Sequence, residues 1–120
     1  MNNPFLQFLG ICKKAGCLVE GYNKTEELAQ KGKVKLLILS TDASENTIKK
    51  FTNYSIRYKF KMIQNFKKEE LGSSIGRPEI SLIGILDRNM AAKLLSIYEQ
   101  AINSGVNICQ KSEYTNCQKN

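Results

Sequence analysis

The chain has no histidine and no tryptophan, only two prolines, and no cysteine pair spaced C-x-x-C. Without histidine, nucleophilic catalysis lacks its usual base, and zinc loses one of its two common ligand types. The four cysteines, Cys12, Cys17, Cys109 and Cys117, contain no close thiolate pair. A structural zinc site and a redox dithiol are therefore not expected. There is no P-loop and no Gly-x-Gly-x-x-Gly turn to hold a nucleotide. No apolar run approaches the roughly 20 residues of a membrane helix. The start of the chain also lacks the basic and long apolar regions of a signal peptide. The expectation is a cytoplasmic protein that does not touch a membrane, with no catalytic residue, no metal and no cofactor.

What is present is enough apolar sequence for one core. At 120 residues and 42% hydrophobic, the chain accommodates a single globular domain without disulfide or metal staples. Lysine and arginine number 18 against 11 acids, a formal net charge of +7. The stretch from Ser104 to Asn120 holds only Lys111, Glu113 and Lys119, so almost all the surplus lies in the preceding residues. Such a surplus favours a polyanionic partner, RNA or DNA first. The alternative is compositional, because a chain rich in Lys, Asn and Ile can carry solvated lysines that bind nothing.

Asn3-Pro4 reads as an N-cap followed by proline at the first helical position. Phe5, Phe8, Leu9 and Cys12 then form one apolar helical stripe, which makes Cys12 a small core residue. A short strand at Leu18-Val19 leads to Gly21. A second helix spans about Tyr22 to Lys31, with Tyr22, Thr25, Leu28 and Ala29 inward. Asn23, Lys24, Glu27 and Lys31 share its polar face. Val34 to Leu39 is an unbroken apolar run, as in a strand covered on both sides. Asp42, Ser44 and Glu45 supply capping chemistry for a third helix with Ile48 and Phe51 inward. Strict alternation from Arg57 to Met62 reads as a strand, and its basic row of Arg57, Lys59 and Lys61 suits phosphates but reads better as protecting an edge. Lys67 to Leu71 suits a short helix, Gly72 to Gly76 a turn, and Ile80 to Leu86 a buried strand. Asp87 caps a last helix carrying Ala91, Leu94, Leu95 and Tyr98 inward. Alternating helices and strands predict a three-layer α/β/α sandwich with a small mixed sheet of about four strands. The domain is expected over residues 1–103 and a polar tail over 104–120.

Two segments together carry a resemblance. One is Gly21-Tyr-Asn-Lys-Thr-Glu-Glu-Leu-Ala-Gln-Lys-Gly32, followed by the apolar run that ends before Asp42. The other is Lys68-Glu-Glu-Leu-Gly-Ser-Ser-Ile-Gly-Arg77, ahead of a buried strand. Their order and separation resemble the ribosomal protein L-seven-Ae/L-thirty-e superfamily, especially its bacterial YlxQ-type members, over roughly Phe5 to Tyr98. The resemblance implies a monomeric RNA-binding protein of ribonucleoprotein or translation contexts. Its expected partners are kink-turn or other structured RNA, ribosomal RNA included, and ribosome-associated proteins. In that family the start of the second helix enters the RNA groove beside sheared G·A pairs, and the loop before the last strand covers a flipped-out nucleotide. Carried over, the RNA-binding residues would be Gly21, Tyr22, Asn23, Lys24, Glu27 and Lys31 on the helix. On the loop they would be Leu71, Gly72, Ser74, Ile75, Gly76 and Arg77. Asn23 takes the position of a base-reading asparagine, whose amide both donates and accepts.

The match is not complete. The archaeal pattern has Glu after that Asn and Lys three positions later, whereas this chain has Lys24 and Glu27. Lys24 then suits phosphate or a guanine edge, and Glu27 either a base amino group or solvent. Arg77-Pro78-Glu79 stands where other members carry short apolar residues. Two other classes remain open. A protein-interaction module of the same fold is favoured by the swapped charges. An enzyme acting on RNA is disfavoured, since Asp42 and Glu45 read better as caps than as an acid/base pair.

Overall fold

In the computed structural model, residues 3–103 are described, and the expected polar tail with Cys109 and Cys117 lies outside them. The five residues of β2 (Leu36–Ser40) are all buried, the four apolar ones, Leu36–Leu39, together with the polar Ser40. The order along the chain is α1 (Pro4–Lys14), β1 (Leu18–Glu20), α2 (Tyr22–Gln30), β2, α3 (Glu45–Tyr58), β3 (Lys61–Phe66), α4 (Lys68–Ser74), β4 (Leu82–Ile85) and α5 (Arg88–Asn103). The sheet has four strands in the order β1-β4-β2-β3. β2 and β3 run parallel, whereas β4 lies antiparallel to both β1 and β2. The two apolar segments expected at the centre, Leu36–Leu39 and Leu82–Ile85, pair with each other there.

Two clusters of buried side chains, one on each side of the sheet, make the sandwich. One gathers Phe5, Leu9 and Cys12 of α1, Leu71 of α4 and Leu94 and Tyr98 of α5 against Leu36, Ile38, Ile83 and Ile85. The other gathers Ala29 of α2 and Phe51 of α3 against Leu37, Leu39 and Leu82. The alternation of inward residues along β2 and β4 thus feeds two cores at once. Gly84 lets α2 sit close on the sheet: a Cβ there would lie 2.8 Å from Val19 Cγ1 and 3.1 Å from Thr25 Cγ2.

Caps fall where their chemistry predicts. Asn3 Oδ1 accepts from the Phe5 N–H at 2.8 Å, Ser44 Oγ from Thr47 at 3.2 Å, and Asp87 Oδ1 from Met90 at 3.0 Å. Cys12 is fully buried, and burial pushes its thiol up to about 11, so it packs as an apolar side chain.

Two expectations are corrected. The alternating run at Arg57–Met62 is not one strand, because α3 continues through Tyr58 and β3 begins only at Lys61. Phe51, Tyr54 and Tyr58 also satisfy a helical period, and their rings stack in succession at 5.4 and 6.1 Å. That packing decides the segment for helix. Lys59 then turns the chain in the left-handed region (φ 58°), and Tyr58, Phe60 and Met62 still reach the same core. The segment from Gly72 is likewise helical as far as Ser74. Gly72 is buried there against the returning chain, where a Cβ would meet the Glu79 backbone at 2.5 Å.

Candidate nucleic-acid interface

α2 begins at the end of the sheet where β2 finishes and β4 starts. The Gly21 N–H donates to the Leu82 carbonyl at 3.1 Å, which fixes the helix start to the central strand. Gly21 has φ 91°, and no side chain caps the helix. The first-turn N–H groups of α2 therefore lack the side-chain acceptor that most helices provide, and they suit an anionic or polar ligand. Asn23 and Lys24 are both exposed on this first turn, and among the described residues neither has a side-chain partner.

Behind that turn, α2 is stapled to α3. Glu26 accepts from Lys50 Nζ and from the Tyr54 hydroxyl, both at 2.7 Å. These two hydrogen bonds hold the Glu26 carboxyl below the usual range and raise Lys50 and Tyr54 above theirs. Tyr22 packs edge-on against Phe51 at 5.4 Å, with Lys50 Nζ 5.3 Å from its ring centre. The Tyr22 ring nevertheless remains 38% exposed, enough to offer a stacking edge. Further along, Glu27 pairs with Lys31 at 3.2 Å, each exposed.

The segment before β4 reaches the same end. Its chain folds back through hydrogen bonds from Arg77 N–H to Gly72 O (2.8 Å) and Ile80 N–H to Lys68 O (2.9 Å). Arg77 Nε then donates to Glu20 Oε1 at 2.6 Å, one residue before the α2 cap, and Lys13 pairs with the other oxygen. Burial pushes the Glu20 carboxyl up, but the Lys13 and Arg77 hydrogen bonds outweigh it and hold it below its usual range. A cleft of about 330 Å³ opens between the elements, lined by Gly21, Tyr22, Asp42, Ser44 and Thr47 on one side and Lys68 and Ile80–Leu82 on the other. Lys68 also pairs with Glu79 at 3.7 Å.

The residues expected to bind fall into two groups. Gly21, Tyr22, Asn23, Lys24, Glu27, Lys31, Gly76 and Arg77 are accessible to a ligand. Leu71 and Ile75 are core side chains, Gly72 is buried, and the Ser74 hydroxyl donates to the Leu71 carbonyl at 2.7 Å. These four give the loop its shape from beneath. Glu20, Lys50, Tyr54 and Lys68 were not foreseen in this region. Their ion pairs and hydrogen bonds join residues from 7 to 57 positions apart, and no local spacing announces such pairings.

The comparisons with known proteins bear on family and fold. Over 94 residues the chain is 31% identical to the RNA-binding protein YlxQ of Enterococcus faecium, covering 78% of this chain and 90% of that protein. It is also 31% identical over 91 residues to the RNA-binding protein YlxQ of Bacillus subtilis (strain 168), covering 76% and 91%. Among solved structures, a protein of unknown function from Bacillus halodurans C superposes with a TM-score of 0.79 at 30% identity, covering 82% of this chain and 99% of that one. The Giardia lamblia 15.5kD RNA binding protein shares the fold, with a TM-score of 0.66 at 18% identity over 79% of this chain and 84% of its own. Residues 6–95 match the sequence profile of the Ribosomal protein L7Ae/L30e/S12e/Gadd45 family, and the chain belongs to that family.

Proposed function

We propose that this protein binds structured RNA, of kink-turn type, through the start of α2 and the segment before β4, and that it acts by binding rather than by catalysis. The observation that carries the reading is the joining of the two segments at one end of the domain. Arg77 reaches the residue preceding the α2 cap, and Gly21 is bonded to the first residue of β4. A sharply bent RNA presents two surfaces to one protein, and two exposed elements side by side suit that shape. In this reading Asn23 addresses base edges, the uncapped N–H groups and Lys24 address phosphate, and the Tyr22 edge and the cleft accept an unstacked base. The YlxQ relatives, described as RNA-binding proteins, support RNA as the partner.

The pairing of Glu27 with Lys31 bears on the reversed charge order. A carboxylate neutralised by its own helix neighbour repels phosphate less than a free one, so the reversal is compatible with RNA at this face. The test is titration of a kink-turn RNA and a straight duplex with wild type and Asn23→Ala. The variant is expected to lose roughly 1–3 kcal/mol on the kink-turn and almost nothing on the duplex. Equal affinity of wild type for the two RNAs would overturn the reading and return the fold to an interaction module.

A further inference from the structure

At the face just described several cations are paired: Glu20 takes Lys13 and Arg77, Glu26 takes Lys50 and Glu79 takes Lys68, while Lys24 stays free. Of the eleven lysines and arginines without an ion-pair partner among the described residues, five gather at the opposite end of the sheet. A cleft of about 300 Å³ opens there, with Lys35, Lys59 and Arg88 in its lining beside Tyr58. Lys61 opens β3 in register with Leu36, next to Lys35, and Lys33 stands two residues earlier. Among the described residues, none of these five cations has a carboxylate within ion-pair reach. The neighbouring Asp87 is turned to its own helix, where it accepts the Met90 N–H.

Two of the cations occupy positions where the fold alone disfavours them. Lys59 sits at φ 58°, a left-handed conformation that glycine adopts without strain. Arg88 opens the 16-residue helix α5, where the helix dipole disfavours positive charge. Both cations thus sit at this cleft against a local cost.

We infer that this cleft is a second RNA surface, gripping the phosphate backbone of a helical segment. It rests on RNA being the partner but not on kink-turn preference. The large exposed hydrophobics of the described residues are Ile11, Tyr22 and Ile56, and none lines the cleft. Val34, Tyr58, Ala91, Ala92 and Leu95 also line the cleft, but Ala92 alone among them is exposed, whereas Lys59 and Arg88 both are. Five cations spread over the starts of β2, β3 and α5 instead match a ladder of phosphates.

The test compares wild type, Lys59→Gly and the triple variant Lys35→Gln/Lys59→Gly/Arg88→Gln on a kink-turn RNA, a straight RNA duplex and poly-glutamate over a range of salt. Lys59→Gly relieves strain, so its loss of affinity is not a folding defect. The triple variant is expected to weaken both RNAs by about 10- to 100-fold and to flatten the logarithmic salt slope by about two to three. Its ratio of kink-turn to duplex affinity should equal that of wild type. Unchanged affinity and slope, while wild type still prefers the kink-turn, would overturn the second surface and leave the first intact. Flattening in the triple variant without any kink-turn preference in wild type would do the reverse. RNA binding unchanged with poly-glutamate binding lost would assign the cleft to an acidic protein and overturn the inference. Failure of wild type to bind either RNA would remove both proposals.

Discussion

The two ends of the sheet handle charge in opposite ways. At the end where α2 begins, most cations are tied to carboxylates or to rings, so their side chains are held in position, and Lys24 stays free. At the end where β2 and β3 begin, five cations gather without a carboxylate in ion-pair reach. Pairing fixes geometry at the expense of long-range attraction, and isolation does the opposite. The first arrangement suits discrimination and the second suits capture. β2, from Leu36 to Ser40, separates them by about 13 Å at roughly 3.3 Å per residue.

The comparison can be broken most severely at Gly72. Gly72→Ala forces a Cβ onto the Glu79 backbone, which neither a rotamer change nor a side-chain shift can relieve. It is expected to cost about 1–3 kcal/mol of stability. Calorimetry should show a fall of roughly 4–8 °C in Tm for each kcal/mol. Where the variant remains folded, kink-turn preference should fall while duplex binding persists. Lys59→Gly acts on the other end and should raise stability by about 1 kcal/mol through relief of the left-handed strain. Urea denaturation would register it as a higher midpoint with an unchanged slope.

Lys24→Ala sharpens the contrast more gently. If the free Lys24 meets phosphate, its loss should flatten the logarithmic salt dependence by about one, equally for both RNAs. The smallest effect concerns Glu20, whose folded value lies below its ordinary 4.5 because Lys13 and Arg77 donate to it. The stability this clamp contributes is complete above the ordinary value and is lost as pH falls through the lower folded one. Carboxyl NMR titration should therefore find the Glu20 midpoint below 4.5, and Arg77→Gln should raise it.

The fold was readable because most segments carried one period only. Leu36–Leu39 and Leu82–Ile85 are apolar without interruption and could only be central strands, while Phe5, Leu9 and Cys12 fit only a helix. Arg57–Met62 misled because alternation and helical spacing were both satisfied, and only the packing of Tyr58 beside Tyr54 chose between them. Gly72 misled for a related reason. Glycine ordinarily signals a turn, but here it marks close approach of a helix to the chain returning past Glu79. At the site, Asn23 and Lys24 were identifiable from local sequence because their exposure follows from helix phase. The Glu20–Arg77 clamp and the Glu26–Lys50–Tyr54 network were not, since each depends on how distant elements are brought together. The gathering of Lys35, Lys59 and Arg88 depends likewise on strand register and direction, neither of which composition contains.

The position of β4 has a consequence for the time at which the molecule acquires its α2 face. Among the described residues β4 is a central strand in space but the last in chain order, and β1 has no sheet neighbour other than β4. Contacts between such distant segments must await closure of a long loop, which makes them slow to form. The bond from Gly21 to Leu82 belongs to this class. The α2 start is thus made early during synthesis yet anchored only after residues 82–85 have emerged and docked. A growing chain on the ribosome carries Asn23 long before it carries the anchored surface around it, so the RNA selection proposed for this face would belong to the finished domain.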